Sequence, residues 1–242
     1  MTLAINLSTT HDYSIDDTIA AFVTICNQHN RGCLRRMPGF FQNFTNDAWV
    51  KLQLKLNYAS VIEPYKLGKI NTEQFLDKLA EIFNFMDTMD EAERTSLLIT
   101  AWNSSIKITE KTKGRFAHIL DSAKEEPVYL ISNTNELNVR AILDLFKEKY
   151  PALPFNENID ISMKYSQEPV ELLPNIYLCL SYRFGVFKTE GLLKHLSDKI
   201  SEPLTVVSQH HSDTAKAEQL ELNVQNPDDF YYAVPSISMM HD

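Results

Sequence analysis

Three short, almost unbroken apolar runs set the rhythm of the second half of this chain: residues 128–131, 176–180 and 204–207. Runs of that length without polar alternation belong to strands buried on both faces. Around them, apolar positions recur every three to four residues, which is helical spacing. The spacing predicts helices over about residues 109–124, 136–150, 189–200 and 212–218, and a last strand at 220–224. Residues 2–7 alternate weakly and predict a first strand. Between them the pattern is helical, over about 16–30, 46–58, 72–85 and 90–103. Phe75, Leu76, Leu79, Ile82 and Phe83 form one apolar stripe there, and Ser14 with Asp17 resembles a capping box opening the first helix. Residues 30–39 read as a loop by their glycines and proline, and 151–174 as a Pro/Asn-rich stretch with a short strand near 159–163.

Strand–helix alternation with uniformly apolar strands implies an α/β fold, a doubly wound parallel sheet covered on both faces. The helical segment interrupts it after the first strand. The expected organisation is therefore a core of residues 1–12 and 100–242 with an inserted helical cap over 13–99.

The candidate chemistry sits where the strand at 128 ends. Ser132, Asn133, Thr134 and Asn135 follow it at once, and a helix opens near Glu136. Open α/β sheets place ligands at the carboxyl ends of their strands. Hydroxyls together with exposed helix N–H groups suit an anion such as phosphate. A formal net charge of −9 argues against general nucleic-acid binding. The opening residues lack a signal-peptide pattern and no apolar run reaches membrane-spanning length, so an intracellular protein is expected, with non-classical export left open. Three cysteines, Cys26, Cys33 and Cys179, have no zinc-knuckle spacing and read as free thiols.

Four motifs then fall in order. Leu67-Gly-Lys-Ile-Asn-Thr-Glu-Gln-Phe75 matches a G-x-I-S-x-E-x-F segment, and Ala101-Trp-Asn103 a Trp-Asn pair. Ile131-Ser-Asn-Thr-Asn135 matches L-S-N-T-N, and Leu180-Ser-Tyr-Arg-Phe-Gly-Val-Phe-Lys188 matches L-S-x-x-x-G-x-x-K-P apart from Thr189 in place of the proline. With these motifs the chain resembles the haloacid dehalogenase superfamily, nearest its sugar-phosphate phosphatase and dehalogenase-like members. The resemblance implies a Rossmann-like core with a cap, phosphoryl chemistry and magnesium. It also implies that Ser132 contacts a phosphate-like group, with Asn133 and Lys188 as the candidate ligand-binding residues beside it. Alternatively Ser132 and Asn133 cap the following helix and tie the loop.

The departures are concentrated on the carboxylates. Where the family places its aspartate nucleophile stands Asn6, and Ser8 replaces the acid/base. At the end of the 204–207 strand, where two metal-binding acids are expected, stand Ser208 and Gln209. A neutral amide is a poor nucleophile, and magnesium needs carboxylate oxygen. Asp213, one turn further on, offers a single oxygen. The leading reading is a phosphatase-like protein without phosphohydrolase activity or cofactor, acting by binding an anionic small molecule or a protein partner. Lys188 reads either as a solvated lysine at a helix start or as a cation projecting into the site. In the second case the loss of the acids leaves it without partners, to lower its pKa, stay wet or recruit an anion. The alternative keeps a magnesium-dependent phosphomonoester hydrolase whose acids come from Asp12, Asp16 or Asp17. A third reading is metal-independent anion binding by Ser132, Lys188 and the helix start at Glu136. Ser8 to Asp12 holds the residue types of a hydrolytic triad, but contiguous side chains diverge. His210 and His211 with Asp213 lack the clustered ligands of a metal site. Arg31, Arg35 and Arg36 beside Phe40 and Phe41 read as a cap loop, and Met239 and Met240 as part of a loose tail.

Overall fold

The computed structural model describes residues 2–29, 46–83, 89–163 and 165–232. The Arg31–Phe41 segment, Cys33 and the Met239–Met240 pair lie outside the described residues. The chain opens with β1 (Thr2–Asn6), a 3-10 turn (Leu7–Thr9), β2 (Asp12–Tyr13) and α1 (Ile15–His29). After α2 (Asn46–Leu56) comes a π-helical turn (Tyr58–Ile62) that runs into α3 (Glu63–Lys66). Then follow α4 (Thr72–Ile82), α5 (Glu91–Asn103), β3 (Ile106–Lys107) and α6 (Glu110–Ser122). Next are β4 (Val128–Ser132), α7 (Glu136–Lys149), β5 (Val170–Leu173), β6 (Ile176–Leu180) and α8 (Ser181–Phe184). A second π turn (Lys188–Leu192) leads into α9 (Leu193–Lys199). Then β7 (Leu204–Val207), α10 (His211–Gln219), β8 (Asn223–Gln225) and α11 (Pro227–Tyr232) complete the described chain.

The main sheet has the order β5-β6-β4-β1-β7-β8, parallel throughout except for the antiparallel β5 edge. Its two faces are read directly from the period of two along each strand. Leu3 and Ile5 of β1, with Leu130 and Leu178, pack under α6 and α7 through Phe116, Ile119, Ile142 and Phe146. Ala4, Ile131, Cys179 and Val206 point the other way, onto Leu192, Leu193, Leu196 and Ala217. Helices therefore cover both faces, and the architecture is the expected doubly wound α/β sheet.

Helices α1 to α5 share a separate hydrophobic cluster that includes Phe22, Trp49, Tyr65, Phe75 and Phe83. Its rings are stacked closely, Phe22 on Phe83 at 4.7 Å and Tyr65 on Phe75 at 4.1 Å between centroids. The expected stripe supplies it: Phe75, Leu76, Leu79 and Phe83 are buried, with Ile82 packed at its margin. Asn71 begins α4 with a reciprocal cap, accepting from Gln74 N while Gln74 Oε1 accepts from Asn71 N. The two-residue strands β2 and β3 pair antiparallel and bring together the two chain segments that enter and leave this helical block.

Several elements differ from the sequence reading, among them the short β2, β3, α8 and α11, which it did not contain. No strand forms at 159–163; the strand of that stretch is β5, folded back onto β6. The turn between them is Pro174-Asn175, with Asn175 at φ 62, a conformation asparagine tolerates better than most residues. The 159–163 segment instead serves as an acceptor: Tyr182 donates its hydroxyl to the Ile161 carbonyl at 2.7 Å, and Arg183 donates to the carbonyl of Asp160. The helix expected over about 46–58 ends at Leu56, and a π turn and α3 that the pattern did not predict carry the chain on to Lys66. The last strand begins at Asn223, three residues later than its apolar pattern suggested. Among the described residues, no helix is long and apolar enough to cross a membrane.

Candidate functional site

A cleft of about 1030 Å³ lies over the carboxyl ends of β1, β4 and β7, bounded on the other side by α1, α2 and the π turn before α3. It gathers residues that the sequence keeps far apart. Asn6, Ser8, Ser132, Asn133, Lys188, Gln209 and Asp213 all line it. Parallel strands deliver their carboxyl ends to one edge of the sheet, so four segments separated by scores of residues converge there.

Asn6 ends β1 and is buried. Its Oδ1 accepts a hydrogen bond from Ser8 N at 3.2 Å, so the amide caps the 3-10 turn. Ser8 and Gln209 are exposed on the cleft wall. Ser132 ends β4. Asn133 ties the next loop across the site, its Oδ1 accepting from Lys188 N at 2.8 Å. Ser181, at the start of α8, is a hub: its hydroxyl meets Thr134 N at 3.0 Å, the Thr134 carbonyl at 3.2 Å and the Lys66 carbonyl at 2.7 Å.

The expectation that Lys188 stands without a partner is overturned. Its Nζ lies 2.7 Å from Asp213 Oδ2, and both side chains are under a tenth exposed. Ser208 donates its hydroxyl to the same Asp213 oxygen at 2.9 Å and accepts from His210 N at 3.1 Å. Asp213 sits in the first turn of α10, which brings it back over the end of β7. Burial pushes the Lys188 ammonium below its usual range, and the Asp213 carboxylate opposes that shift. A lysine whose acids are missing from the strand ends has recovered one from the next helix.

The start of α7 also differs from expectation. Two of its first-turn N–H groups are already taken: Leu137 N donates to Tyr65 Oη at 3.3 Å and Asn138 N to Asn135 Oδ1 at 3.0 Å. Glu136 is held there by Thr72 at 2.8 Å and by Arg140 at 2.5 Å, which places a negative charge in the first turn. That helix terminus is therefore tied to the helical block through Tyr65 and Thr72, with the Glu136 carboxylate opposing an anion there. Trp102 strengthens the same junction, donating Nε1 to Asn138 Oδ1 at 2.9 Å.

The magnesium implied by the family motifs does not fit the donors present. At the carboxyl ends of β1 and β7 the oxygens come from an amide and a hydroxyl, and Asp213 already holds a lysine and a serine. Among the described residues, no group of three or more His, Cys, Asp or Glu side chains could hold a metal ion, His210 and His211 included. A hard divalent cation needs anionic oxygen free to face it. His11, also on the cleft wall, is 7 % exposed, and burial lowers its pKa to about 4, with nearby Asp12 working in the opposite direction. It is a neutral imidazole at physiological pH.

Lys66, Ser181 and the Asp213–Lys188 pairing carried little signal in the sequence. A lysine at a helix end normally reads as solvated, and the π turn that aims Lys66 inward has no periodicity of its own. Asp213 was visible only as an acid one turn beyond the strand.

The geometry matches solved structures. A HAD family enzyme of Bacteroides thetaiotaomicron superimposes with a TM-score of 0.60 at 16% identity, over 93% of this chain and 91% of that one. The same enzyme in complex with magnesium and inorganic phosphate gives 0.61 at 18% identity, over 93% and 92%. A predicted HAD-like family hydrolase from Porphyromonas gingivalis gives 0.54 at 15% identity, over 93% and 90%. No protein-family model and no curated protein matches the sequence. The chain has the fold of the haloacid dehalogenase-like hydrolases.

Proposed function

We propose that this protein is a non-hydrolytic member of that fold, using the cleft between a helical cap (residues 13–99) and the sheet core to bind an anionic small molecule. The observation that carries this reading is the state of the strand ends. Asn6 offers no nucleophile, Ser208 and Gln209 offer no charge, and Asp213 is neutralised by Lys188. Nucleophile and metal site depend on the same carboxylates, so their joint replacement removes both. What remains is a roofed cavity at the position where this architecture holds ligands.

A second reading rests on Asp12, which lines the same cleft. There the protein hydrolyses phosphomonoesters with magnesium, as a metal-dependent enzyme recruiting an acid from β2. Asp12 is exposed and six residues past the strand end, so the first reading is favoured. Incubation of the purified chain with a panel of phosphomonoesters and Mg²⁺ separates the two. The expected outcome is no phosphate release above the protein-free blank. Magnesium-dependent release that scales with protein and disappears in Asp12→Asn would establish the second reading instead.

A further inference from the structure

The cleft carries more positive charge than its own acids answer, in a chain of net charge −9. Six basic side chains and three carboxylates line it. Two of those carboxylates are taken, Asp16 by Lys51 at 3.1 Å and Asp213 by Lys188 at 2.7 Å. Among the described residues, no carboxylate lies within ion-pair distance of Lys55, Lys66, Lys111 or Arg115.

Lys66 differs from the others in how firmly it is placed. The π turn Tyr58–Ile62 and α3 lead the chain to it, and π turns occur frequently where a helix must present a functional side chain. The Lys66 carbonyl accepts from Ser181, the same hydroxyl that holds Thr134. Two residues on, Gly68 lies so close to the Tyr182 carbonyl that an added Cβ would stand 2.1 Å from its oxygen. The main chain at Lys66 is thus fixed against the loop that carries Ser132 and Asn133. The Lys66 ammonium lies over the Tyr58 ring, 5.7 Å from its centroid. Burial lowers its pKa, and no acid opposes the shift. Lys66 is half-buried, and a cation partly withdrawn from water without an ion-pair partner carries a cost that a bound anion would recover. Beside it, Tyr13, Ile15 and Tyr58 are 50, 48 and 42 % exposed on the cleft wall, an unusual outlay of large apolar surface.

We propose that Lys66 anchors an anion subsite that takes the phosphate or carboxylate head of an organic anion, with an aromatic or apolar body lying against Tyr13, Ile15 and Tyr58. The assignment rests on the binding reading above and moves its centre from Lys188, whose charge is already matched, to the helical side of the cleft. The ligand is amphipathic, because the wall next to the free cation is apolar. Inorganic phosphate alone satisfies only half of the site.

Isothermal titration calorimetry with phenyl phosphate, benzoate, inorganic phosphate and neutral benzyl alcohol tests it. At least one of the two aromatic anions binds, more tightly than inorganic phosphate or benzyl alcohol, and the better of them identifies the head group. Lys66→Met weakens that binding by roughly tenfold or more, the loss of one charge-assisted contact, whereas Lys66→Arg retains most of it. Tyr58→Ala weakens the aromatic anion and leaves inorganic phosphate unchanged. Far-UV circular dichroism of each variant verifies the fold. No binding of either aromatic anion to the wild-type chain, or unchanged affinity in folded Lys66→Met, overturns the subsite. Magnesium-dependent hydrolysis of phenyl phosphate would instead overturn the non-hydrolytic reading, and the Lys66 dependence of its binding would still decide the subsite separately.

Discussion

Replacing Asp213 by asparagine should expose how much of the site's stability rests on one recovered ion pair. With Lys188 Nζ 2.7 Å from Asp213 Oδ2, the attraction is roughly 6 kcal/mol at an effective dielectric of about 20. Most of that is offset by the cost of taking two charges out of water, which runs to several kcal/mol per ion. The pair as a whole therefore adds little net stability. Breaking it is another matter. Asp213→Asn leaves a buried cation without its counter-charge and weakens the acceptor of Ser208, a loss of about 3–5 kcal/mol. At about 2–4 °C per kcal/mol for a chain of this size, that lowers Tm by roughly 6–20 °C. Lys188→Met should cost a similar amount, by stranding the carboxylate. The double variant Lys188→Met/Asp213→Leu should recover most of the loss, since neither charge then remains to be stranded. Urea unfolding followed by tryptophan fluorescence measures all three. Single-variant losses below about 1 kcal/mol, or a double variant that simply sums them, would refute the buried pair as the organising contact. A further consequence ties stability to binding. In Asp213→Asn the unmatched Lys188 should attract inorganic phosphate, seen as a larger rise in Tm on adding phosphate than the wild-type chain shows.

His11 and Gly68 give two independent checks. His11 has a folded-state pKa near 4 against 6.5 for the free side chain, a base whose pKa is depressed by burial. Its contribution is fully present above pH 6.5 and is lost as the pH falls toward 4, by roughly 3 kcal/mol in all. His11→Gln should flatten that part of the stability profile measured by urea unfolding between pH 4 and 7, and an unchanged slope would show the imidazole to be solvated. Gly68 has φ +67 and no room for a Cβ, so Gly68→Ala should destabilise the chain by at least about 2 kcal/mol. It should also weaken binding of the aromatic anion, because the Tyr182 contact helps fix Lys66. A variant as stable as wild type in a urea titration would contradict that packing.

Much of the fold was legible in the chain itself. The apolar runs at 128–131, 176–180 and 204–207 can be buried only inside a sheet covered on both faces, and the stripe through Phe75 and Leu79 can be buried only by other helices. Those patterns are local, and the hydrophobic effect acts on them wherever the rest of the chain goes. The neutral residues at Asn6, Ser208 and Gln209 were equally plain, because strand ends are where such a sheet presents side chains. The β5 edge escaped notice because its hairpin depends on Pro174-Asn175 and a positive φ, a backbone choice that periodicity does not register.

What the sequence could not decide is which charges find each other. Lys188 and Asp213 are 25 residues apart and acquire a common environment only when the Lys188 turn and α10 pack over the end of β7. Lys66 and Thr134 are joined by a serine hydroxyl contributed from a third segment. Residue types and hydrophobic spacing fixed the scaffold and the absence of acid at the strand ends. The assignment of one lysine to a carboxylate and another to open cleft was made by tertiary packing. Electrostatic pairing depends on distances of a few ångströms and on exclusion of water, and neither exists until the segments meet.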